Sequence, residues 1–592
     1  MELTDFLLQV KRPAQYIGRE WNASKKEFDK ANVRFALSFP DLYEVGMSNL
    51  GLRIIYGILN AIPDVACERF FSPGIEMEGL LRSNNQSILS LESQKKLDEF
   101  DLAGFSLGSE LCYTNVLNIL ELGGIPLKSS ERGSNYPFVI AGGPCTLNPE
   151  PMHEFFDIFM IGEAEEAVVE LVDIYRKHKS DFKSGKISKS ELLLLFSRLE
   201  GIYIPSFYET KESVDGLLEE FKPKIEGAPL KVVKRIVKNL DASFFPVEWL
   251  VPYIQIIHDR ITLEIMRGCP NRCRFCQARS LYYPLRIRKA GKVMELAKQA
   301  YKNTGYEEIS LGGLSVSDYS EIEEVSRCLL DEFKNEAVSV SLPSIRARSY
   351  VGNLSSIIAK VKKTGLTFAP EAGTDKLRNL LLKDFNEEDF FRALEEAYGA
   401  GYQRVKLYFM IGLPFETDAD LDAIVDFSLK VSELRRKVVK GPAEVNISIN
   451  TLIPKPHTAF QWFGMLTLQE IERKHDYLRN KIKNRRLKLN FHNSQISILE
   501  GILSRGDRRL SAVILSAFKK GAKFDAWSDH FDFQKWMDAF QDSGVEPYSY
   551  LNERQRDALL PWDLLDVGVD KDSLEREFNK LIEYQDDKEY NL

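Results

Sequence analysis

The chain has 592 residues, of which 44% are hydrophobic and 28% charged, and its 79 basic and 87 acidic side chains give a net charge of -8. This composition excludes a wholly disordered chain, a collagen-like fibre and a disulfide-dense miniprotein, and it argues against a globally basic nucleic-acid coat. At roughly 150 residues per domain, the length predicts about three or four domains. The sequence shows neither a secretory signal nor a run of ~18 apolar residues, so we expect a cytoplasmic protein without membrane contact.

The first part of the chain, residues 1–166, alternates short apolar runs with helical patterns. The apolar runs predict four strands, at Val33–Phe39, Leu102–Leu107, Phe138–Ala141 and Phe156–Ile161. Apolar runs followed by a turn and a helix are typical of a parallel sheet with helical crossovers. Because ligands bind at the carboxyl ends of such strands, the predicted binding edge consists of the loops at 41–51, 106–112, 142–148 and 162–166.

Residues 167–250 are less regular and are predicted to form a connector to a second series of strands and helices at 251–470. The strands of that series are predicted at Ile261–Met266, Glu308–Leu311, Val338–Leu342, Leu366–Phe368, Val405–Ile411 and Val445–Leu452. Six such units match a partial (β/α)6 barrel, whose active site faces the C-terminal ends of the strands. Residues 471–592 are predicted to be mostly helical.

The seven cysteines of the chain are unevenly spaced. Cys269, Cys273 and Cys276 form C-x3-C-x2-C at the end of the first predicted barrel strand, and such a group indicates metal binding or catalysis rather than disulfides. Three thiolates suit a four-iron–four-sulfur cluster in which one iron has no protein ligand. Zinc is the competing metal, but no fourth Cys or His follows at the short spacing of a structural zinc site.

This cysteine spacing, with Phe275 before the last cysteine, resembles the signature of the radical S-adenosylmethionine enzymes. The resemblance extends over about residues 255–470. Gly312-Gly313 stands where that superfamily has a Gly-Gly-Glu motif, and Leu314 replaces the Glu.

Two further segments resemble the same superfamily. Glu371, in FAPEAGT, resembles its fourth-strand acidic residue, and Gly412, in MIGLPFET, belongs to its fifth-strand glycine motif. The resemblance implies that the three cysteines hold the cluster and that S-adenosylmethionine binds at Gly312, Gly313, Glu371 and Gly412. It also implies that one electron, from a donor such as flavodoxin or ferredoxin, cleaves S-adenosylmethionine to methionine and a 5′-deoxyadenosyl radical that abstracts a substrate hydrogen.

The N-terminal part resembles the flavodoxin-like cobalamin-binding domain of cobalamin-dependent radical enzymes. IAGGPC and IGEAEE match its landmarks, and its D-x-H-x-x-G motif appears as Asp41–Gly46 with Tyr43 at the position of the cobalt-ligating histidine. The implied cobalamin contacts are Asp41, Tyr43, Gly46, Ser106, Gly142 and Gly143. A domain that keeps the fold without the cofactor is the open alternative. The chain as a whole resembles a largely uncharacterised family of such fused proteins.

The favoured function is therefore a radical S-adenosylmethionine enzyme that carries out cobalamin-assisted methyl transfer or rearrangement on an unknown substrate. Two alternatives stay open. Cys112 and Cys145 follow N-terminal strands, and methylthiotransferases, which modify tRNA or protein, hold a second cluster there with three cysteines, although no third cysteine lies at 41–51. The other alternative is a non-catalytic iron–sulfur or cobalamin sensor.

Four more features have two interpretations each. His457, after the sixth barrel strand, is a candidate proton donor or a loop-packing histidine, and Arg346, after the third, is a candidate carboxylate contact or a surface ion pair. Lys406 and Tyr408 alternate with two apolar residues, so one pair faces the barrel interior. The basic run at 473–488 is a candidate RNA contact, although such runs more often form a solvated helix face.

Overall fold

The computed structural model describes residues 3–212, 218–341 and 366–589. Its N-terminal sheet has the strand order β2-β1-β3-β4-β5-β6. These strands are β1 (Val33–Phe39), β2 (Val65–Phe71), β3 (Leu102–Ser106), β4 (Phe138–Gly142), β5 (Ile158–Met160) and β6 (Ile202–Tyr203). The first five are parallel and β6 is antiparallel to β5. The order 2-1-3-4-5 is that of the flavodoxin-like fold, which confirms the predicted N-terminal architecture.

Helices pack around this sheet. They are α1 (Leu3–Leu7), α2 (Tyr43–Gly46), α3 (Leu50–Ala61), α4 (Ile75–Ser83), α5 (Tyr113–Leu122), α6 (Ala164–Lys183) and α7 (Lys189–Phe196). The connector contributes β7 (Tyr208–Glu212), β8 (Leu218–Pro223) and β9 (Val232–Val233). β7 and β8 form an antiparallel pair, and β9 pairs with a strand near the C-terminus, Leu565–Asp566.

The strand β2 was not predicted from the sequence, because two charged residues, Glu68 and Arg69, stand in its middle. Both are buried and paired in the fold. Glu68 accepts hydrogen bonds from the hydroxyls of Ser90 and Ser93. Arg69 forms ion pairs with Glu20 and Glu92, whose carboxylates lie 2.7 and 2.6 Å from its guanidinium. These partners come from distant segments, so the strand could not be identified from its own sequence.

The second series forms two parallel sheets within the described residues, β10-β13-β14 and β15-β16-β17-β18. Its strands are β10 (Ile261–Glu264), β11 (Met266–Arg267), β12 (Arg286–Ile287), β13 (Glu308–Gly312), β14 (Ser339–Ser341), β15 (Leu366–Glu371), β16 (Arg404–Ile411), β17 (Glu444–Thr451) and β18 (Leu487–Phe491). The short β11 and β12 pair with each other. All six predicted strands are present. β18, a further parallel strand, was not predicted because it begins at the end of the basic run, in a region that was predicted to be mostly helical.

The helices of this series are α8 (Gln277–Leu281), α9 (Ala290–Thr304), α10 (Ile322–Glu332), α11 (Asp375–Leu380), α12 (Glu387–Gly399), α13 (Asp418–Val438) and α14 (Leu468–Lys481). The side of β16 that carries Leu407 and Phe409 is buried, and the Phe409 ring packs against Phe427 of α13. Lys406 and Tyr408 therefore lie on the opposite, half-buried side. The ammonium of Lys406 sits 4.6 Å from the centre of the Tyr408 ring.

The C-terminal region is mostly helical, as predicted, with α15 (Ser494–Arg505), α16 (Leu510–Lys519), α17 (Phe533–Ser543), β19 (Leu565–Asp566) and α18 (Lys571–Glu589). It packs on both other parts. Arg508 forms an ion pair of 2.6 Å with Glu150 of the N-terminal module. The buried Arg505 donates to backbone carbonyls, among them those of Pro454 and Tyr550. The basic pentapeptide at 505–509 thus joins the C-terminal helices to the rest of the chain.

Four basic side chains of the run at 473–488 form ion pairs with neighbouring acidic groups. Arg473 pairs with Asp418, Lys474 with Glu416, Lys481 with Asp422 and Lys488 with Glu444. These pairs hold α14 and β18 against the barrel strands and α13. Among the described residues, no helix combines the length and apolar character needed to cross a membrane.

Candidate functional site

The three cysteines of the predicted cluster lie on the loop between β11 and α8. Gly268 opens this loop with φ +92°, and a Cβ at this position would stand 2.7 Å from the carbonyl oxygen of Tyr282. Only glycine fits this close approach and this backbone conformation. Arg274 holds the other end, because its backbone N–H donates to Leu381 and its guanidinium lies 2.9 Å from Glu577 of α18. The loop is thereby fixed on both sides.

The donor set of this loop fits an iron–sulfur cluster. All seven cysteines lie in the described residues and none forms a disulfide bond. Cys273 is buried, whereas Cys269 and Cys276 are half-buried. Within the described residues, no three Cys, His, Asp or Glu side chains converge as the ligands of a single ion would. Three thiolates on one loop suit an iron–sulfur cluster in which one iron has no protein ligand.

Glu371 stands at the end of β15 in the left-handed conformation, with φ +69°. Its carboxylate lies 3.0 Å from the ammonium of Lys383. Burial raises the pKa of Glu371, and Lys383 opposes this rise. Burial raises the pKa of the Cys276 thiol, and the charge of the same lysine opposes this rise. Lys383, which was not predicted as a site residue, therefore lies near both Glu371 and the cluster loop.

The predicted glycines of the barrel occupy tight positions. A Cβ at Gly312 would stand 2.9 Å from a methyl group of Thr262, and one at Gly313 would stand 2.6 Å from the side chain of Met266. These contacts bring β13 close to β10 and β11. Gly412 has φ +80°, and its N–H donates to the carboxylate of Glu416 at 2.9 Å. The backbone at this strand end is therefore held by a buried side chain.

A cavity of about 500 Å³ lies between the N-terminal module and the barrel. Its deep wall is apolar and formed by strand residues of the N-terminal sheet together with α3 and α6, including Phe35, Leu37, Ile54, Ile140, Met160 and Val168. The cavity also brings together predicted residues from both parts of the chain, namely Ser106, Gly142, Gly143, Gly312 and Gly313. A Cβ on Gly142 would meet no atom within 4 Å, so this glycine faces open space.

The other predicted residues of the N-terminal module do not line this cavity. Asp41 accepts a hydrogen bond of 3.0 Å from the indole of Trp527. Tyr43 is buried, and its hydroxyl donates to the carboxylate of Glu20 at 2.8 Å. Gly46 lies so close to Phe71 that a Cβ would stand 2.2 Å from the ring. In the structure, these three residues therefore make packing contacts that hold the 41–46 segment in place.

His457 lies at a junction between the barrel and the N-terminal module. Its ring Nε2 lies 3.1 Å from the carbonyl oxygen of Leu147. Burial lowers the pKa of His457 to about 4, so the ring is neutral at pH 7. The geometry is that of a loop-packing histidine that donates to a backbone carbonyl. Arg346, the other candidate contact, lies outside the described residues.

Cys112 and Cys145 follow the adjacent strands β3 and β4. Both are buried, and burial raises the pKa of the Cys112 thiol to about 12 and that of the Cys145 thiol as well. Cys67 lies on β2, which the strand order separates from β3 by β1. No third cysteine of the chain follows the carboxyl ends of these strands.

A network of ion pairs on the rim of the cavity was not predicted. Arg267, directly before the cluster loop, contacts Glu163 at 3.2 Å, Glu165 at 2.6 Å and Glu264 at 2.9 Å. Arg286 adds two hydrogen bonds to Glu163, of 2.7 and 2.8 Å. The IGEAEE segment was a signal in the sequence, but its partner arginines lie about a hundred residues later.

Two family models and a curated relative match this chain. The family model "Radical SAM proteins, N-terminal" matches residues 51–205, and the model of the "Radical SAM superfamily" matches residues 263–428. The uncharacterized protein MJ0966 of Methanocaldococcus jannaschii is 30% identical over 523 residues, which cover 86% of this chain and 97% of that protein.

A second curated relative is the ribosomal protein uS12 methylthiotransferase RimO of Desulfotalea psychrophila, 25% identical over 46% of this chain and 62% of that protein. Among solved structures, the radical S-adenosylmethionine methyltransferase TsrM from Kitasatospora setae, with tryptophan and a cofactor analogue bound, aligns with a TM-score of 0.48. That alignment has 11% identity and covers 86% of this chain and all of the other.

Proposed function

Since the chain belongs to the radical S-adenosylmethionine superfamily, in a family with the M. jannaschii protein, we propose that it is a cobalamin-assisted radical enzyme. Its reaction would be methyl transfer to an unactivated carbon of the substrate, or a rearrangement at such a carbon. The observation that carries the cobalamin part is the shared cavity. Glycines of the N-terminal module and of the barrel line the same space, next to the cluster loop.

The barrel residues provide the radical half of the site. Cys269, Cys273 and Cys276 would hold the cluster, and the buried carboxylate of Glu371 is an acceptor for polar groups of S-adenosylmethionine. When bound, the two supply a 5′-deoxyadenosyl radical for hydrogen abstraction. Lys383 pairs with the Glu371 carboxylate at 3.0 Å and opposes the rise in its pKa that burial causes.

The cavity fits part of a cobalamin molecule. Its volume falls within the ~300–1,000 Å³ that is common for ligand sites, which is enough for a nucleotide-sized group. The apolar deep wall suits an aromatic base, and the open space at Gly142 lets a ligand approach the backbone. Because the Tyr43 hydroxyl is bound to Glu20, the chain would hold the cofactor by shape and backbone contacts and offer no histidine to the cobalt at position 43.

The test of the radical activity is anaerobic formation of 5′-deoxyadenosine. The protein is reconstituted with iron and sulfide, mixed with dithionite and S-adenosylmethionine, and the product is quantified by chromatography. Cys273→Ala should abolish the product. The matched control is Cys328→Ala, which removes a half-buried thiol of α10. Product from wild type and the control alone supports the proposal, whereas product from Cys273→Ala contradicts it. No product from a wild type with a full cluster would favour the sensor alternative.

A further inference from the structure

The ion network on the cavity rim continues into the cluster loop. Arg267 uses three nitrogens of its guanidinium. Nη1 contacts Glu163 and Glu165 of the N-terminal module, while Nε and Nη2 each lie 2.9 Å from the Glu264 carboxylate of β10. Cys269, the first predicted cluster ligand, lies two residues after Arg267 in the chain. The guanidinium is therefore fixed from two modules at once, immediately before the cluster ligands.

The same residues form the wall of the cavity. Glu163, Glu165, Glu264 and Arg267 all line it, and so does Gly268, the residue between Arg267 and Cys269. The side chains of Arg267 and Glu163 are only 8% and 7% exposed, so water screens their pairing weakly. A molecule bound in the cavity would contact one side of this ion-pair network, and the cluster loop begins at the other side of the network.

We propose that Arg267 is a positioning residue that couples occupancy of the cavity to the arrangement of the cluster loop. The inference rests on the proposed function, because it takes cobalamin as the occupant. If the loop shifts when the cluster binds, Gly268 moves with it. This movement displaces the guanidinium of Arg267, which three carboxylates hold in place. That movement changes the cavity wall, so cluster binding and cavity binding affect each other.

Such coupling is reciprocal, so it can be measured from the cavity side without any catalysis. The dissociation constant of hydroxocobalamin is determined by anaerobic equilibrium dialysis, with cobalt quantified by mass spectrometry, for the cluster-free and the cluster-loaded full chain. We expect binding to the loaded wild type to be tighter by at least about fivefold, the lower end of usual coupling strengths. In Arg267→Gln the two constants should agree within about twofold, because the connection is cut.

Two further variants decide the interpretation. Glu165→Gln removes the charge of the carboxylate that lies 2.6 Å from Arg267 and carries the test if Arg267→Gln does not fold; it should also reduce the difference. Arg235→Gln is the matched control, since this arginine pairs with Glu166 and Glu170, lies outside the cluster loop, and none of the three residues lines the cavity. It should keep the wild-type difference.

The outcomes separate this inference from the proposed function. Equal affinities in the two wild-type states would overturn the coupling and leave cobalamin binding intact. A full difference in both Arg267→Gln and Glu165→Gln would overturn the role of Arg267. Absence of cobalamin binding to wild type in either state would overturn the cobalamin assignment itself, and this inference with it.

Discussion

Replacement of Gly268 by alanine should prevent assembly of the cluster while leaving the rest of the fold in place. The backbone at this glycine has φ +92°, and an added Cβ would stand 2.7 Å from the carbonyl oxygen of Tyr282 and 2.9 Å from that of Pro284. The left-handed conformation costs an L-residue about 1–2 kcal/mol. Crowding against backbone atoms adds about 1–3 kcal/mol. The loop would relax by moving away from β12, and the cysteines would move with it.

The assay is iron content per chain after anaerobic reconstitution, together with thermal unfolding. Wild type should hold about four irons per chain and Gly268→Ala fewer than about one. The control is Gly291→Ala at the start of α9, where a Cβ meets nothing within 4 Å and iron content should stay at the wild-type value. Full iron content and an unchanged unfolding temperature in Gly268→Ala would refute the argument that this close approach sets the loop.

Gly142→Leu places a side chain in the open space of the cavity, so it should weaken cobalamin binding by more than about tenfold in equilibrium dialysis. Its unfolding temperature should match that of wild type, and Gly142→Ala should bind almost normally; unchanged binding in Gly142→Leu would show that the cofactor lies elsewhere. The pKa of His457 is about 4 in the fold against 6.5 for an ordinary histidine, so the unfolded chain binds more protons between these pH values. Stability should therefore fall as the pH drops from 6.5 to 4, by up to about 3 kcal/mol from this group. His457→Gln should show a shallower decrease in unfolding temperature over that window, and an identical pH profile would contradict a buried neutral ring.

The regular parts of the fold followed from local patterns in the sequence. Val33–Phe39 has the predicted limits, because an apolar run that ends in a turn is visible in the residues themselves. The strands β2 and β18 could not be predicted from local patterns in the sequence. Buried charges interrupt β2, and β18 begins at the end of a basic run, so their strand character depends on partners such as Glu20 and Glu444 elsewhere in the chain.

The candidate site divides in the same way. The cysteine spacing and the glycines could be identified as local signals, and Ser106, Gly142 and Gly312 line one cavity. The position of the Tyr43 side chain could not be predicted in this way. Its hydroxyl donates to Glu20, and Glu20 is itself fixed by an ion pair with Arg69 of β2. Arg267 was missed for the same physical reason. Its role depends on carboxylates of the N-terminal module that only the packed chain brings within 3.2 Å.

In the proposed enzyme, this chain combines one iron–sulfur cluster with cobalamin in the cavity between its two modules. The most direct measurement is iron and cobalt per chain in one sample, after anaerobic reconstitution with iron, sulfide and hydroxocobalamin and removal of unbound material. We predict about four irons and about one cobalt per chain. About eight irons without cobalt would contradict the account in favour of a second cluster. About four irons without cobalt would show that the N-terminal module keeps the fold without the cofactor.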